Sequence, residues 1–340
     1  MRKFIIFFSL FVFLCLTSQS IESEDWTSPG VLSEQMFSAL SVVEDQLGQK
    51  HLIDISAGQR LISDDPVEIM QRIEQLNKSD GFNIVFLGDS IVYGDGTRDE
   101  GETIPALLKN KLSRAETGQV INVFNFTLPS AGPADVYLIT RELAKAKVDL
   151  FIYDLNVGWL EREVTLEHPV LLNLSENKYL DPADFHVYNL DQVVVNSYNI
   201  YEEDENLTDL ATPWTDKNWD GVFNPVENGK FGRLHPEWSE QWMYVQKIVA
   251  LLQENNINPL FFTNPRNFEL LEKYDDIDFA AYYSSLQDIF NYFESSGITI
   301  LNLDYTVPSE YFSDVVHLLP GGEEIISGYL YYFIIQDKAV

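Results

Sequence analysis

The 340-residue chain carries 53 acidic against 22 basic side chains, a formal net charge of −31. A field of that sign repels nucleic acid and anionic membrane surfaces, excludes a nucleic-acid partner and favours cations. With 45% hydrophobic and 13% aromatic residues the composition is globular, and the length suffices for one large core or two smaller ones.

The chain opens with the basic Met1-Arg2-Lys3, an unbroken apolar run over 4–16 and the small polar stretch Thr17 to Ser20. This order predicts a secretory signal peptide over 1–20, hence an exported protein in the periplasm, at the cell surface or outside the cell. The apolar run is too short for a stable membrane span, and no other segment could provide one. Cys15 is the one cysteine, and Leu14 before it is not the small residue a lipoprotein signal needs. The mature chain therefore uses no disulfide.

Helical spacing in Val31, Leu32, Met36, Leu40 and Val43, and again in Val67, Ile69, Met70, Ile73 and Leu76, predicts a helical N-terminal extension over 21–80. Alternation then begins. Strands are expected at 84–87, 120–124, 148–155, 259–262 and 298–303, with helices at 103–112, 134–145, 238–254, 278–295 and 322–335. Strands alternating with helices imply an α/β fold with a five-stranded parallel sheet covered on both faces. Between about 157 and 236 the pattern breaks into a stretch rich in Asn, Asp, Pro and Trp, too long for a simple connection. It reads as an insertion beside the sheet's functional edge.

Two motifs carry the chemistry. Phe86-Leu87-Gly88-Asp89-Ser90 places a serine where the first strand gives way to a loop, and Asp314-Val315-Val316-His317 sets a carboxylate three residues before an imidazole. A serine hydroxyl is a weak nucleophile until a histidine takes its proton and a carboxylate orients that histidine. All three partners are present, in the order Ser, Asp, His.

This layout resembles the SGNH (GDSL-like) hydrolases, whose first block carries a G-D-S nucleophile after the first strand and whose last block is D-x-x-H. The resemblance spans residues 83–335 around the insertion. It implies a flavodoxin-like three-layer sandwich, an SGNH hydrolase domain over 81–340, Ser90 as nucleophile, His317 as general base and Asp314 as orienting acid. Oxyanion donors in such enzymes come from the nucleophile's N–H, a second-block glycine N–H and a third-block asparagine. Here those are Ser90, Gly132 (with Ser130 where the commonest spelling has glycine) and Asn156, although the usual Gly-x-Asn-Asp spelling is absent. From Tyr244 through Asn264-Pro265-Arg266 to Asp314 and His317, the chain is similar to the DltD and alginate-acetylation (AlgX/AlgJ) side of the superfamily, whose members move acyl groups to or from cell-surface polymers.

Residues 216–227 follow the twelve-residue D-x-N-x-D-G-x-x-N-x-x-E pattern. Side chains of Asp216, Asn218, Asp220 and Asn224, the carbonyl of Val222 and both carboxylate oxygens of Glu227 can converge on one hard cation, with Gly221 at the sharp turn. Pro213 before the loop and Gly229 and Gly232 after it remove the long flanking helices of an EF-hand. The loop is expected to hold a structural Ca2+; an Asx-rich solvated turn is the competing reading. The remaining histidines, His51, His168, His186 and His235, are isolated, and no phosphate loop or dinucleotide fingerprint calls for a catalytic cofactor.

The expectation is an exported serine esterase or deacylase acting on a small ester or acylated carbohydrate, with a cell-envelope partner compatible with export. Two alternatives remain. One is O-acyl transfer to a cell-surface polysaccharide, and the other is a calcium-stabilised accessory protein on the same scaffold without catalysis.

Overall fold

A computed structural model describes residues 40–44, 50–54, 58–97, 99–115, 118–161, 166–174, 210–219, 231–232, 234, 236–237 and 239–336. The expected signal peptide, Cys15 and most of the insertion lie outside them. No helix among the described residues is long and apolar enough to cross a membrane.

The N-terminal extension departs from the helical expectation at its start. Leu40–Glu44 forms β1 and Lys50–Asp54 forms β2, paired antiparallel with Val42 opposite Leu52 and Val43 opposite His51. Two adjacent β-branched valines favour the extended backbone over the helix that apolar spacing alone suggested. The second helical segment forms as α1, Pro66–Lys78, with Asp65 as N-cap and Pro66 in the first turn. Its buried face of Ile69, Ile73 and Leu76 belongs to the same apolar cluster as Val85 and Phe124 of the sheet. So α1 is a layer of the main domain, not an appendage.

The sheet contains β3 (Phe82–Leu87), β4 (Ile121–Asn125), β5 (Leu150–Leu155), β6 (Asn258–Thr263) and β7 (Thr299–Asn302), in the spatial order β4-β3-β5-β6-β7 and wholly parallel. Successive residues of a strand face opposite sides, and the cores divide accordingly. Val85, Leu87, Phe151, Tyr153 and Leu155 join one cluster. Ile84, Phe86, Leu150 and Ile152 join the other. The first is closed by α1, α4 (Pro133–Leu143), α5 (Glu240–Glu254) and α7 (Phe279–Ser295), and the second by α3 (Ile104–Arg114) and α8 (Pro320–Gln336). The result is the expected three-layer, flavodoxin-like order.

Two short helices were not anticipated: α2, Ser90–Tyr93, and α6, Phe268–Lys273. Both are shorter than the window of about 11–18 residues over which helical spacing is legible. The chain leaves β3 toward β4 on one side and later returns to β5 on the other. The connections after β3 and β5 therefore diverge and leave a crevice at the strands' carboxyl ends. Ser90 follows β3 and Asn156 follows β5, one at each lip of that crevice.

Candidate active site

Asp89 ends β3's connection as the N-cap of α2, its Oδ1 accepting the Ile91 N–H at 3.2 Å. The helix stops after one turn at Gly94, whose φ of 88° is left-handed and whose N–H returns to the Ser90 carbonyl at 3.0 Å. Ser90 is thereby held at the first helical position, half-buried. Its own N–H has no acceptor among the described residues.

The opposing loop lies between β7 and α8. Phe312 and Leu318 form an antiparallel bridge, and the Ser313 N–H bonds the His317 carbonyl at 2.8 Å. Asp314 Oδ1 accepts the N–H groups of Val316 and His317, each at 2.8 Å, while Oδ2 faces His317 Nδ1 at 2.7 Å. A carboxylate facing Nδ1 places the imidazole proton there. Nε2 is then the free lone pair, and it stands 2.8 Å from Ser90 Oγ. Asn267, after β6, steadies the loop by donating its N–H to Val315 O at 2.8 Å and its Nδ2 to Asp314 O at 3.1 Å.

The electrostatics suit this arrangement. Burial works to raise the Asp314 carboxyl, but the His317 hydrogen bond and charge and two backbone N–H donors overcome it and hold it below 3.8. Burial likewise works to lower His317, and Asp314, followed by Asp95 and Asp89, raises it above its ordinary 6.5. Beneath the Ser90 turn, burial holds the Asp154 carboxyl well above the usual range, with Asp89's charge adding to it. A Cβ at Gly88 would fall 2.9 Å from Asp154 Cβ, so glycine is needed where the turn crosses β5.

Asn156 stands at the end of β5 with its Nδ2 donating to Asp89 Oδ2 at 2.7 Å. The same oxygen accepts Trp159 Nε1 at 2.9 Å. Arg266 Nη2 donates to Asn156 Oδ1 at 3.0 Å. Asp89, Trp159 and Arg266 were not anticipated as site residues. A tryptophan in a loop and an arginine over a hundred residues away carry no local pattern; only Asp89's place beside Ser90 was a usable signal. Trp159, Trp214 and Trp242 are buried.

The expected donor at Gly132 is corrected. Its N–H donates to Asp135 Oδ2 at 3.1 Å and caps α4, so it is already committed. Ser130, two residues earlier, is exposed, holds a left-handed φ of 59° and has no acceptor for its N–H among the described residues. The same loop starts beside the nucleophile turn, where Leu128 N–H meets Gly88 O at 3.3 Å.

His168, read from sequence as isolated, underlies this loop. Its Nε2 lies 2.7 Å from Pro129 O and its Nδ1 lies 3.0 Å from Asp64 Oδ2, while its N–H bonds Asp135 at 3.0 Å. Burial lifts the Asp135 carboxyl to about 6.

Of the calcium loop, Asp216 closes the short turn Trp214–Asp216 and Asn218 follows it. Asp220, Val222, Asn224 and Glu227 lie outside the described residues. Among the described residues no group of three His, Cys, Asp or Glu side chains could hold a metal ion.

Chemically, a hydroxyl in line with an imidazole and a carboxylate can attack an electrophilic carbonyl, and Ser90 and Asn156 stand at the two lips of the β3/β5 crevice. No family model matches the chain, and no curated protein matches it. Among solved structures it is similar to a single-substitution variant of a Geobacillus acetyl-xylooligosaccharide esterase, at 12% identity and TM-score 0.44 over 75% of this chain and 94% of that one. It is also similar to an acetyl xylan esterase from Butyrivibrio proteoclasticus, at 13% identity and TM-score 0.37 over 75% and 64%. A GDSL-like lipase from Bacteroides thetaiotaomicron aligns at 12% identity and TM-score 0.37 over 75% and 88%.

Proposed function

We propose that this protein is a serine ester hydrolase of SGNH type. The reading rests on one observation: Ser90 Oγ, His317 Nε2 and Nδ1, and Asp314 Oδ2 form a continuous line with contacts of 2.8 and 2.7 Å. Ser90 Oγ attacks the ester carbonyl as His317 Nε2 takes its proton, and Asp314 holds the resulting imidazolium. The alkoxide accepts hydrogen bonds from the N–H groups of Ser90 and Ser130 and from Asn156 Nδ2. His317 then returns its proton to the departing alcohol. Water, deprotonated by the same imidazole, cleaves the acyl-enzyme to release the acid and regenerate Ser90.

Small esters and acylated carbohydrates both suit an open crevice at the strand ends. The net charge of −31 favours a neutral glycan over a polyuronate, which the same field would repel. Export and a structural Ca2+ in the 216–227 loop complete the proposal. A sugar hydroxyl could replace water in the second half-reaction, which would make the protein an O-acyltransferase of a cell-surface polysaccharide.

The test is fluorophosphonate labelling and p-nitrophenyl acetate turnover of the wild type beside Ser90→Ala and His317→Ala. The expected result is labelling lost in both variants and turnover reduced by at least about 10³-fold. A wild type that labels but turns over only when an acceptor sugar is supplied moves the reading to transfer. A folded wild type that neither labels nor turns over overturns it in favour of a non-catalytic accessory role.

A further inference from the structure

We propose that Arg266 is a positioning residue that sets which end of the Asn156 side-chain amide faces the nucleophile. The proposal rests on the ester-hydrolase reading and goes beyond it by assigning a residue outside the nucleophile, the acid–base pair and the oxyanion donors.

Two donors converge on one end of the Asn156 amide: Arg266 Nη2 at 3.0 Å and the Gly158 N–H at 3.0 Å. A guanidinium and a backbone N–H can only donate, so that end must be the carbonyl oxygen. The opposite end is therefore Nδ2. One of its hydrogens goes to Asp89 Oδ2 at 2.7 Å, and Asp89 directly precedes Ser90. The second hydrogen is left for an oxyanion at the β3/β5 crevice. A flipped amide would set its oxygen against the Asp89 carboxylate and present no donor there.

Arg266 is built for this contact. It is 5% exposed, enters from the connection after β6, and lies with its guanidinium carbon 4.4 Å from the centre of the Phe231 ring. Among the described residues it makes no ion pair within 4.0 Å, while its charge lowers the buried carboxyls of Asp154 and Asp304. A Cβ at Gly158 would fall 3.1 Å from Asn156 Oδ1 and 3.3 Å from Arg266 Nη2, so the backbone closes directly over the pair.

The experiment is a double-mutant cycle on p-nitrophenyl acetate with wild type, Arg266→Met, Asn156→Ala and the double variant, with kcat and KM measured separately and thermal unfolding in parallel. The expected result is a fall in kcat of about 10²-fold in each single variant with little change in KM. The double variant should be no slower than Asn156→Ala, because Arg266 acts only through that amide. Multiplying effects in the double variant, or an unchanged kcat in Arg266→Met, overturns the proposal. If Arg266→Met does not fold, Arg266→Lys takes its place in the cycle under the same rule, with a smaller fall expected because a donor remains. A wild type with neither turnover nor label removes the hydrolase reading and the proposal together. An active wild type with a multiplicative cycle removes the Arg266 proposal alone.

Discussion

Gly96 lies directly against the carbonyl oxygen of Leu318: a Cβ added to it would fall 1.9 Å from that oxygen and 2.9 Å from its carbon. Leu318 follows His317, so the turn leaving Ser90 and the loop carrying the imidazole touch backbone to backbone. Gly96→Ala must push the two apart. A displacement of about 1 Å at a catalytic group can cost about 10²-fold in rate. The expected outcome is a kcat loss of that order on p-nitrophenyl acetate with a lowered Tm. Gly328→Ala is the control, since nothing lies within 4 Å of its added Cβ in α8. It should keep full activity and gain about 0.5–1 kcal/mol of stability. Full activity in Gly96→Ala would show that this contact does not set the His317 position.

The pH profile follows from the carboxylates around His317. Burial opposes protonation of the imidazole, but Asp314 and then Asp95 and Asp89 outweigh it, and the net shift is upward from 6.5. A general base must be neutral. The acid limb of kcat/KM is therefore expected above 6.5, with activity still rising into the alkaline range. The stability linkage runs the other way. The imidazolium's contribution is full below the unfolded value and is lost as pH rises through the higher folded one. Asp95→Asn removes one raising charge, so its acid limb should move to lower pH. A wild-type limb at or below 6.5, or no movement in Asp95→Asn, contradicts this account.

His168 supports the Ser130 loop from inside. Pro129 O can only accept, so Nε2 carries a hydrogen, and Nδ1 faces the Asp64 carboxylate. Burial works against the charged ring, yet Asp64 and Asp135 raise it above 6.5. His168→Gln breaks a buried pair and should cost about 3 kcal/mol. Because the folded pKa is the higher one, the Tm gap between wild type and variant should be widest below 6.5 and narrow as pH rises through the folded value. A gap that stays constant from about pH 5 to about pH 9 would mean that folding leaves the His168 pKa unshifted, and would contradict this account.

The calcium proposal is read by thermal unfolding. Added calcium at about 10⁻⁴–10⁻³ M should raise Tm, and EGTA should reverse it. Asp216→Asn removes the first carboxylate of the pattern and should abolish most of the rise. No response of the wild type to calcium or to chelator would reduce the 216–227 loop to an Asx-rich turn.

Much of the fold was legible because buried parallel strands and amphipathic helices leave long periodic traces. All five sheet strands and the five long helices that follow them fall within a few residues of their expected positions. The misreadings were local. Residues 40–44 were expected in a helix because apolar spacing alone does not register the strand preference of Val42 and Val43. Gly132 was expected to donate into the site because the motif marks a glycine, but the N–H of a helix cap is claimed by its own first turn, here through Asp135.

Ser90, Asp314 and His317 could be named from their motifs, because short-range chemistry requires those residue types at those spacings. Their convergence, and everything that orients them, could not. Arg266, Trp159 and His168 meet their partners 110, 70 and 104 positions away, on Asn156, Asp89 and Asp64 respectively. No local pattern encodes a contact of that separation. The sequence by itself determined the alternating α/β layers, the charge and the three reactive groups, since each follows from composition or from spacing within one element. Only the tertiary structure decided which lip of the crevice each group occupies, which N–H groups remain free and which way the Asn156 amide points. Those depend on strand order and on donors delivered by distant segments of the chain.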